Sequence, residues 1–248
     1  MEYLTFESIE KTGIARAVYT PMGVGGWGLN APEDYINYEL LSGRLNITTG
    51  QMIRTRQLHT ANVRIVTAEN GGEGVIRPVT DEGFDGLITA DAGLMLCTVE
   101  ADCVPVYLLD PVNKVIAMLH SGWKGTAGMI AANALETMAS RFGTNPADVV
   151  AAMGPCICGG CYEVNKDLKI AFSEKFSKES LEKLFTLKPN GRYLLDLKEA
   201  VYITLTGCGV PRENIEDSGF CTYHSGMFYS WRRDANPEVR MLTGIMLL

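Results

Sequence analysis

Two imidazoles and a thiol stand at the edges of apolar runs in this chain. His59 follows Gln57-Leu58, Cys103 follows Ala101-Asp102 just before Val104 to Leu109, and His120 ends the run that begins at Val115. Residues at strand ends and adjoining turns of layered α/β proteins gather into sites held by a rigid sheet. Two histidines and a cysteine are the ligand types, and the number, for a tetrahedral zinc that keeps its fourth position open to water or substrate. Zinc is the expected cofactor; copper, which competes well for the same ligands, is the alternative occupant. Two other readings use the same residues. Cys103 can be a thiolate nucleophile and His120 its base, with Asp102 or Gln57 orienting the imidazole. Alternatively, both histidines are hydrogen-bonded core residues and Cys103 is a small buried apolar side chain. His59 favours the metal over the dyad, which has no use for it.

Two further motifs invite chemistry and are read as structure. Gly23-Val24-Gly25-Gly26-Trp27-Gly28 matches GxGxxG, but a dinucleotide fingerprint needs glycines that open directly into a helix of a βαβ unit, and here a proline precedes them and the helix cap follows later. It is read as a loop. In Gly154-Pro155-Cys156-Ile157-Cys158-Gly159-Gly160-Cys161 the thiols are close enough for a metal knuckle, yet no fourth ligand lies nearby in sequence. No histidine is followed by xE, which the zinc nucleobase deaminases require. The segment is read as a glycine-rich turn with reduced thiols.

Strand-like runs are expected at Ile14 to Thr20, Val63 to Val66, Gly86 to Thr89, Leu94 to Val99, Val104 to Leu109, Val115 to Leu119 and Val149 to Met153, with Met241 to Leu248 as a closing strand. Thr126 to Phe142 carries apolar residues at helical spacing and Gly143 to stop it. Asn30, Pro32 and Glu33 predict a capped helix running to about Leu45, and further helices are expected within Asn165 to Phe185 and over Leu197 to Gly207. No repeat, low-complexity segment or linker divides the 248 residues. One α/β (α+β) layered domain, with mixed sheets and helices over residues 1–248, is expected.

Composition excludes some partners. A net charge of −7 argues against broad attraction to nucleic acid or an anionic membrane, while a local basic pocket for phosphate remains compatible with it. The first residues lack the basic start and apolar core of a secretion signal, and no run of about 18 apolar residues occurs, so a cytoplasmic protein is expected. The odd count of seven cysteines fits reduced thiols or metal ligands.

The motifs taken together resemble one family. Gln57-Leu58-His59, Asp85-Gly86-Leu87-Ile88-Thr89, Ala101-Asp102-Cys103-Val104-Pro105-Val106, His120-Ser121-Gly122-Trp123-Lys124-Gly125, Gly154-Pro155-Cys156-Ile157, Tyr162-Glu163-Val164, Cys221-Thr222 and Phe228-Tyr229-Ser230-Trp231-Arg232-Arg233-Asp234 follow the order of the YfiH-like family. Its members were first labelled polyphenol oxidases or laccase-domain proteins. They were later reassigned as purine nucleoside phosphorylases that also deaminate adenosine. The sequence departs from the family at Thr60, where glycine is usual, and at Lys124, where arginine is common. The Gly23 to Asn30 loop is the least family-like segment.

The resemblance implies that His59, Cys103 and His120 are the metal ligands of a layered α/β protein. Its substrates would be adenosine, inosine, guanosine or methylthioadenosine together with phosphate. Phosphorolysis needs a cation for phosphate and a proton donor for the leaving purine. Lys124, Arg232 and Arg233 are the candidate cations, with Arg54 and Arg56 behind them and Gln57 as a further substrate contact. For deamination a carboxylate must move protons. Asp102 is the first choice, Asp85 and Glu100 are the reserves, and Asp102 can equally orient a ligand histidine. Multicopper oxygen reduction needs more imidazoles than the three histidines supply. The competing functions are a metal-free cysteine hydrolase using Cys103 and His120, acting for example on peptidoglycan precursors, and a non-catalytic zinc-binding interaction protein. A monomer or homodimer is expected.

Overall fold

A computed structural model describes residues 3–24, 26–28, 35–79, 83–235 and 239–248. The apolar runs Val104 to Leu109 and Val115 to Leu119 lack alternation because both faces of these strands are covered, as in any sheet buried on two sides. They lie in a six-stranded sheet ordered β13 (Ile215–Asp217), β9 (Val150–Met153), β7 (Val104–Asp110), β8 (Val115–Ser121), β5 (Gly86–Thr89) and β4 (Val63–Ile65). A five-stranded sheet is ordered β1 (Leu4–Thr5), β2 (Ala15–Tyr19), β14 (Met241–Leu247), β6 (Met95–Glu100) and β3 (Met52–Arg54). Both are mixed: β4 pairs parallel with β5 and β3 parallel with β6, whereas β7, β8 and β5 are antiparallel neighbours.

Successive side chains of a strand point to opposite faces. Val104, Val106, Leu108, Val115, Ala117 and Leu119 therefore pack on α4 (Ile130–Phe142) and α7 (Leu197–Gly207). Tyr107, Leu109, Ile116 and Met118 instead meet Ile53, Leu96 and Ile245 of the other sheet, and α1 (Glu7–Glu10) adds Ile9 to this inter-sheet core. The far face of the five-stranded sheet is covered by Tyr38, Leu41 and Leu45 of α2 (Tyr35–Leu45) and by Trp27. The layers thus run helix, sheet, sheet, helix. No helix among the described residues is long and apolar enough to cross a membrane.

The expected strands all form, and the closing strand becomes β14, seated between β2 and β6. The helix expected over Thr126 to Phe142 is broken into α3 (Trp123–Ala127) and α4, with Met129 at φ 67° between them. At the break Gly128 lets the chain pack closely on the segment that carries His59, since a Cβ there would stand 2.7 Å from the Ala61 Cβ. Gly143 ends α4 in the left-handed conformation, at φ 74°.

The Asn165 to Phe185 stretch divides into α5 (Lys166–Phe172) and α6 (Lys178–Leu184), the second capped by Ser177. Phe185 opens β11 (Phe185–Leu187), which pairs with β12 (Tyr193–Leu195), itself paired with β10 (Glu163–Val164). These strands are too short for any periodicity to reveal. The helix start expected at Asn30 lies outside the described residues, and α2 ends at Leu45 as expected. Gly25 of the GxGxxG stretch also lies outside them; Gly23, Val24 and Gly26 to Gly28 are not helical.

Leu119→Ala removes a fully buried side chain from the interface of β8 with the helices. A loss of about 2–5 kcal/mol is expected, read as a lowered midpoint in urea denaturation; an unchanged midpoint would contradict this packing.

Candidate metal centre

His120 and Cys103 meet because β7 and β8 pair in a fixed register. Pro105 faces His120 and Val104 faces Ser121, so the residue before β7 and the last turn of β8 share one end of the sheet. His59 arrives on the segment that crosses from β3 to β4. The ligand atoms of His59, Cys103 and His120 all lie within 4.8 Å of one another. The imidazoles stand edge to face, with ring centroids 4.7 Å apart and planes at 80°. Gly122 makes this convergence possible. A Cβ there would stand 2.9 Å from His59 Cδ2 and 3.0 Å from Cys103 Sγ, so any side chain would occupy the space of the ligands.

One fully buried carboxylate organises two of the three ligands. Asp85 Oδ1 accepts hydrogen bonds from His120 Nδ1 at 2.7 Å and from the His59 backbone N–H at 3.0 Å. Its Oδ2 accepts from the N–H groups of Leu58 and Thr60 and from the Thr60 hydroxyl. Three successive amides are thereby gathered on one carboxyl group, which holds His59 in the left-handed conformation at φ 60°. With Nδ1 committed to Asp85, His120 presents Nε2, which is how a carboxylate fixes the orientation and tautomer of a metal-binding histidine.

Charge follows the same geometry. Burial alone would raise the Asp85 carboxyl, but the bond and charge of His120 and the Thr60 donors outweigh it and hold the group below its ordinary value. Burial, with the neighbouring His120, pushes His59 down to about 4, leaving it neutral as a ligand must be. Burial also opposes charge on His120, yet Glu100, Cys103 and Asp85 together push it well above the ordinary imidazole range, so a metal arriving there displaces a proton.

The centre opens into a cavity of about 450 Å³ whose walls include Trp123, Tyr162, Trp231, Arg232 and Arg240. The other predicted residues divide around it. Gln57 lines the cavity, but its amide is spent on β6: Nε2 donates to Val99 O at 2.9 Å and Oε1 accepts from Val99 N at 2.8 Å. Asp102 also lines it, at φ 87°, with Oδ1 accepting from the Thr222 hydroxyl at 2.6 Å and Oδ2 from the Arg232 N–H at 2.7 Å. No hydrogen bond joins it to either ligand histidine. Arg232 reaches the cavity with its guanidinium 4.9 Å over the Tyr162 ring and Nη1 bonded to Glu163 O.

Four expected cations stand elsewhere. Arg233 is no cavity residue: its guanidinium donates to the backbone oxygens of Thr222, Tyr223, Ser225 and Phe228 and pairs with Asp234, tying the 222–228 loop to α8 (Trp231–Asp234). Lys124 is exposed on α3, its Nζ 5.7 Å from the centre of the Trp123 ring, outside the cavity lining. Arg54 is buried beside Tyr38 and donates to Gly28 O, on the far side of the five-stranded sheet; Arg56 is exposed and does not line the cavity.

Sequence reasoning missed Arg240, whose one signal is its place just before the closing strand. Glu100 is the reserve carboxylate the structure brings forward. Its Oε2 is fully buried 3.7 Å from His120 Nε2 and has no hydrogen-bond partner among the described residues, while Oε1 accepts from Thr98. Burial pushes its pKa up to about 7 against the pull of His120 and Thr98.

The layered α/β fold has known counterparts. The chain belongs to the family described as multi-copper polyphenol oxidoreductase laccase, matched over residues 9–248, the YfiH-like group. It is 32% identical over 211 residues, 84% of this chain and 75% of the relative, to the purine nucleoside phosphorylase YlmD of Bacillus subtilis. It is 32% identical over 209 residues, 83% of this chain and 78% of the relative, to adenosine deaminase RL5 from an unknown prokaryotic organism. The crystal structure of YlmD from Geobacillus stearothermophilus superposes with a TM-score of 0.92 at 29% identity, covering 100% of this chain and 96% of that one.

Asp85→Asn puts a donor where His120 Nδ1 must donate. Metal affinity is expected to fall about 10–100-fold while the far-ultraviolet circular dichroism is kept, as measured by competition with a chromophoric chelator. Gly122→Ala should lower metal occupancy further, since its methyl group enters the ligand space; full occupancy in that variant would contradict the steric argument.

Proposed function

We propose that this protein is a zinc-dependent purine nucleoside phosphorylase that also deaminates adenosine. The observation that carries the reading is the convergence of His59, Cys103 and His120 beside a cavity of about 450 Å³ lined by aromatic rings and two arginines. Relatives named for both activities align over most of the chain. Two neutral imidazoles and a thiolate suit zinc, and a single copper is the alternative. The family's multi-copper description asks for more than this chain offers: of its three histidines, His224 lies with another group of thiols. Zinc held by three protein ligands supplies Lewis-acid polarisation and activates water near neutral pH.

The chain's own residues supply the rest. Trp123, Tyr162 and Trp231 offer the faces on which a purine or ribose can stack. Arg232 and Arg240 are the cations for phosphate, a role that passes to them from Lys124 and Arg233, which stand outside the cavity lining. Glu100 is the proton-carrying carboxylate and acts through His120, since it does not itself line the cavity: its buried Oε2 stands 3.7 Å from His120 Nε2 without a hydrogen-bond partner among the described residues and burial pushes its pKa up to about 7, whereas both Asp102 oxygens are engaged by Thr222 and Arg232. Asp102 and Gln57 are positioning residues. Gln57 locks the approach to His59 onto β6, and Asp102 anchors the start of α8 beside Cys103.

One observation favours a second reading. Asp85, His120 and Cys103 also form the orienter, base and nucleophile of a thiol hydrolase. Metal content decides between them. Purified protein is expected to contain zinc, to release base from inosine or adenosine only with phosphate, and to lose both reactions on chelation. Undiminished turnover after the metal is removed would sink the zinc enzyme and leave the thiol reading.

Cys103→Ala is expected to lower metal occupancy and to cut turnover on the order of 100-fold or more, since several kcal/mol of charge stabilisation go with the ion. Arg232→Ala is expected to raise the phosphate KM about tenfold or more, the worth of a charge-assisted hydrogen bond, and to leave adenosine deamination, which uses no phosphate, much less affected. Equal losses in both reactions would remove Arg232 from phosphate binding.

A further inference from the structure

The thiols of the 154–161 turn acquire partners that sequence proximity did not reveal. Cys158-Gly159-Gly160-Cys161 faces Cys221-Thr222-Tyr223-His224, two pairs with the same two-residue spacing, about 60 residues apart. The ligand atoms of Cys158, Cys161, Cys221 and His224 all lie within 4.8 Å of one another. Tetrahedral thiolates bound to zinc at about 2.3 Å sit about 3.8 Å from each other, inside that spread. Cys161 Sγ is 3.0 Å from His224 Nε2, and the Cys158 N–H donates to Cys221 Sγ at 3.3 Å, a bond that stabilises a thiolate. Each pair is folded into a tight turn by its backbone: Cys161 N donates to Cys158 O and Ser225 N to Cys221 O. The turns are stitched together where Thr222 N donates to Cys156 O, a short parallel bridge.

We propose that Cys158, Cys161, Cys221 and His224 bind a second zinc ion, structural in role. Three thiolates and an imidazole are the soft, tetrahedral donor set that selects zinc, and four protein ligands leave no open position for chemistry. The site shares no residue with the His59 centre. The ion clamps the 154–161 turn, which borders the cavity, to the 221–224 turn, which braces a cavity residue. Ile157 and Tyr162, which flank Cys158 and Cys161, line it, and Thr222, next to Cys221, holds Asp102 Oδ1. The first turn packs closely on the cap of α7, where a Cβ on Gly159 would stand 2.7 Å from Asp196 Oδ2.

The test counts metal in variants of the full chain. A Cys103→Ala/His120→Ala protein, stripped of the first centre, is expected to retain one zinc per chain by plasma mass spectrometry. Adding Cys161→Ser and His224→Ala should abolish it. Cobalt loaded into the first-centre variant is expected to give intense visible bands and a thiolate-to-cobalt charge-transfer band, both lost in the fourfold variant. His224→Ala alone changes an exposed side chain, and it is expected to speed zinc loss to a chelator and lower the melting temperature. The proposal is overturned if the first-centre variant holds no zinc, if zinc survives loss of Cys161 and His224, or if thiol titration finds a disulfide among these cysteines. The count is independent of turnover: a failed phosphorylase assay leaves it unchanged.

Discussion

The hydrogen bonds of the Asp85 carboxylate hold the candidate centre together. Its two oxygens take the Nδ1 proton of His120, three consecutive amides around His59 and the Thr60 hydroxyl. A buried carboxylate is costly unless every lone pair is used, and here the donors come from two separate strand ends. The interaction therefore does two jobs: it makes burial of the charge tolerable, and it brings His59 and His120 to one point. Gly122 completes the arrangement by offering no side chain where the ligands converge.

Around that centre the polar residues divide by position: some brace irregular segments, and others stand beside His120 or border the cavity. Gln57, Asp102 and Arg233 are consumed by backbone partners. Each anchors an irregular segment, and each is the kind of residue that buried loops need because their own amides and carbonyls lack a ladder. Glu100, Arg232 and Arg240 present themselves differently. Glu100 keeps one oxygen unpartnered beside His120, and the arginines border the cavity. Under the proposed function, proton transfer falls to Glu100 and phosphate binding to Arg232 and Arg240, in place of Asp102, Lys124 and Arg233.

Two groups of soft ligands flank one cavity wall. The His59, Cys103 and His120 group has three ligands and faces open space; the Cys158, Cys161, Cys221 and His224 group has four and closes on itself. Ligand count is the basis on which the first is proposed for reaction chemistry and the second for support. Between them, Asp102 joins the residue before the first thiolate to the loop that carries the second pair.

The sequence by itself determined the layered α/β scaffold, the strand ends at Cys103 and His120, and the His59, Cys103 and His120 trio. Apolar runs and ligand-type residues at their ends are local patterns, readable one segment at a time. It also marked the end of α4 at Gly143, a position whose positive φ suits only glycine without strain. Tertiary structure alone decided which polar side chains would be spent on the backbone, because partners such as the Asp102 carboxylate and the Arg232 N–H lie 130 positions apart. The close approach of Gly128 to Ala61 was likewise invisible, since the two lie 67 positions apart in the chain. A fourth ligand for the cysteine turn was sought nearby in the chain, whereas Cys158 and Cys161 meet two residues of a distant loop, Cys221 and His224, and Cys156 stays outside the group. Spacing along the chain reports only the ligands that one turn can offer, and a closed metal site draws on two.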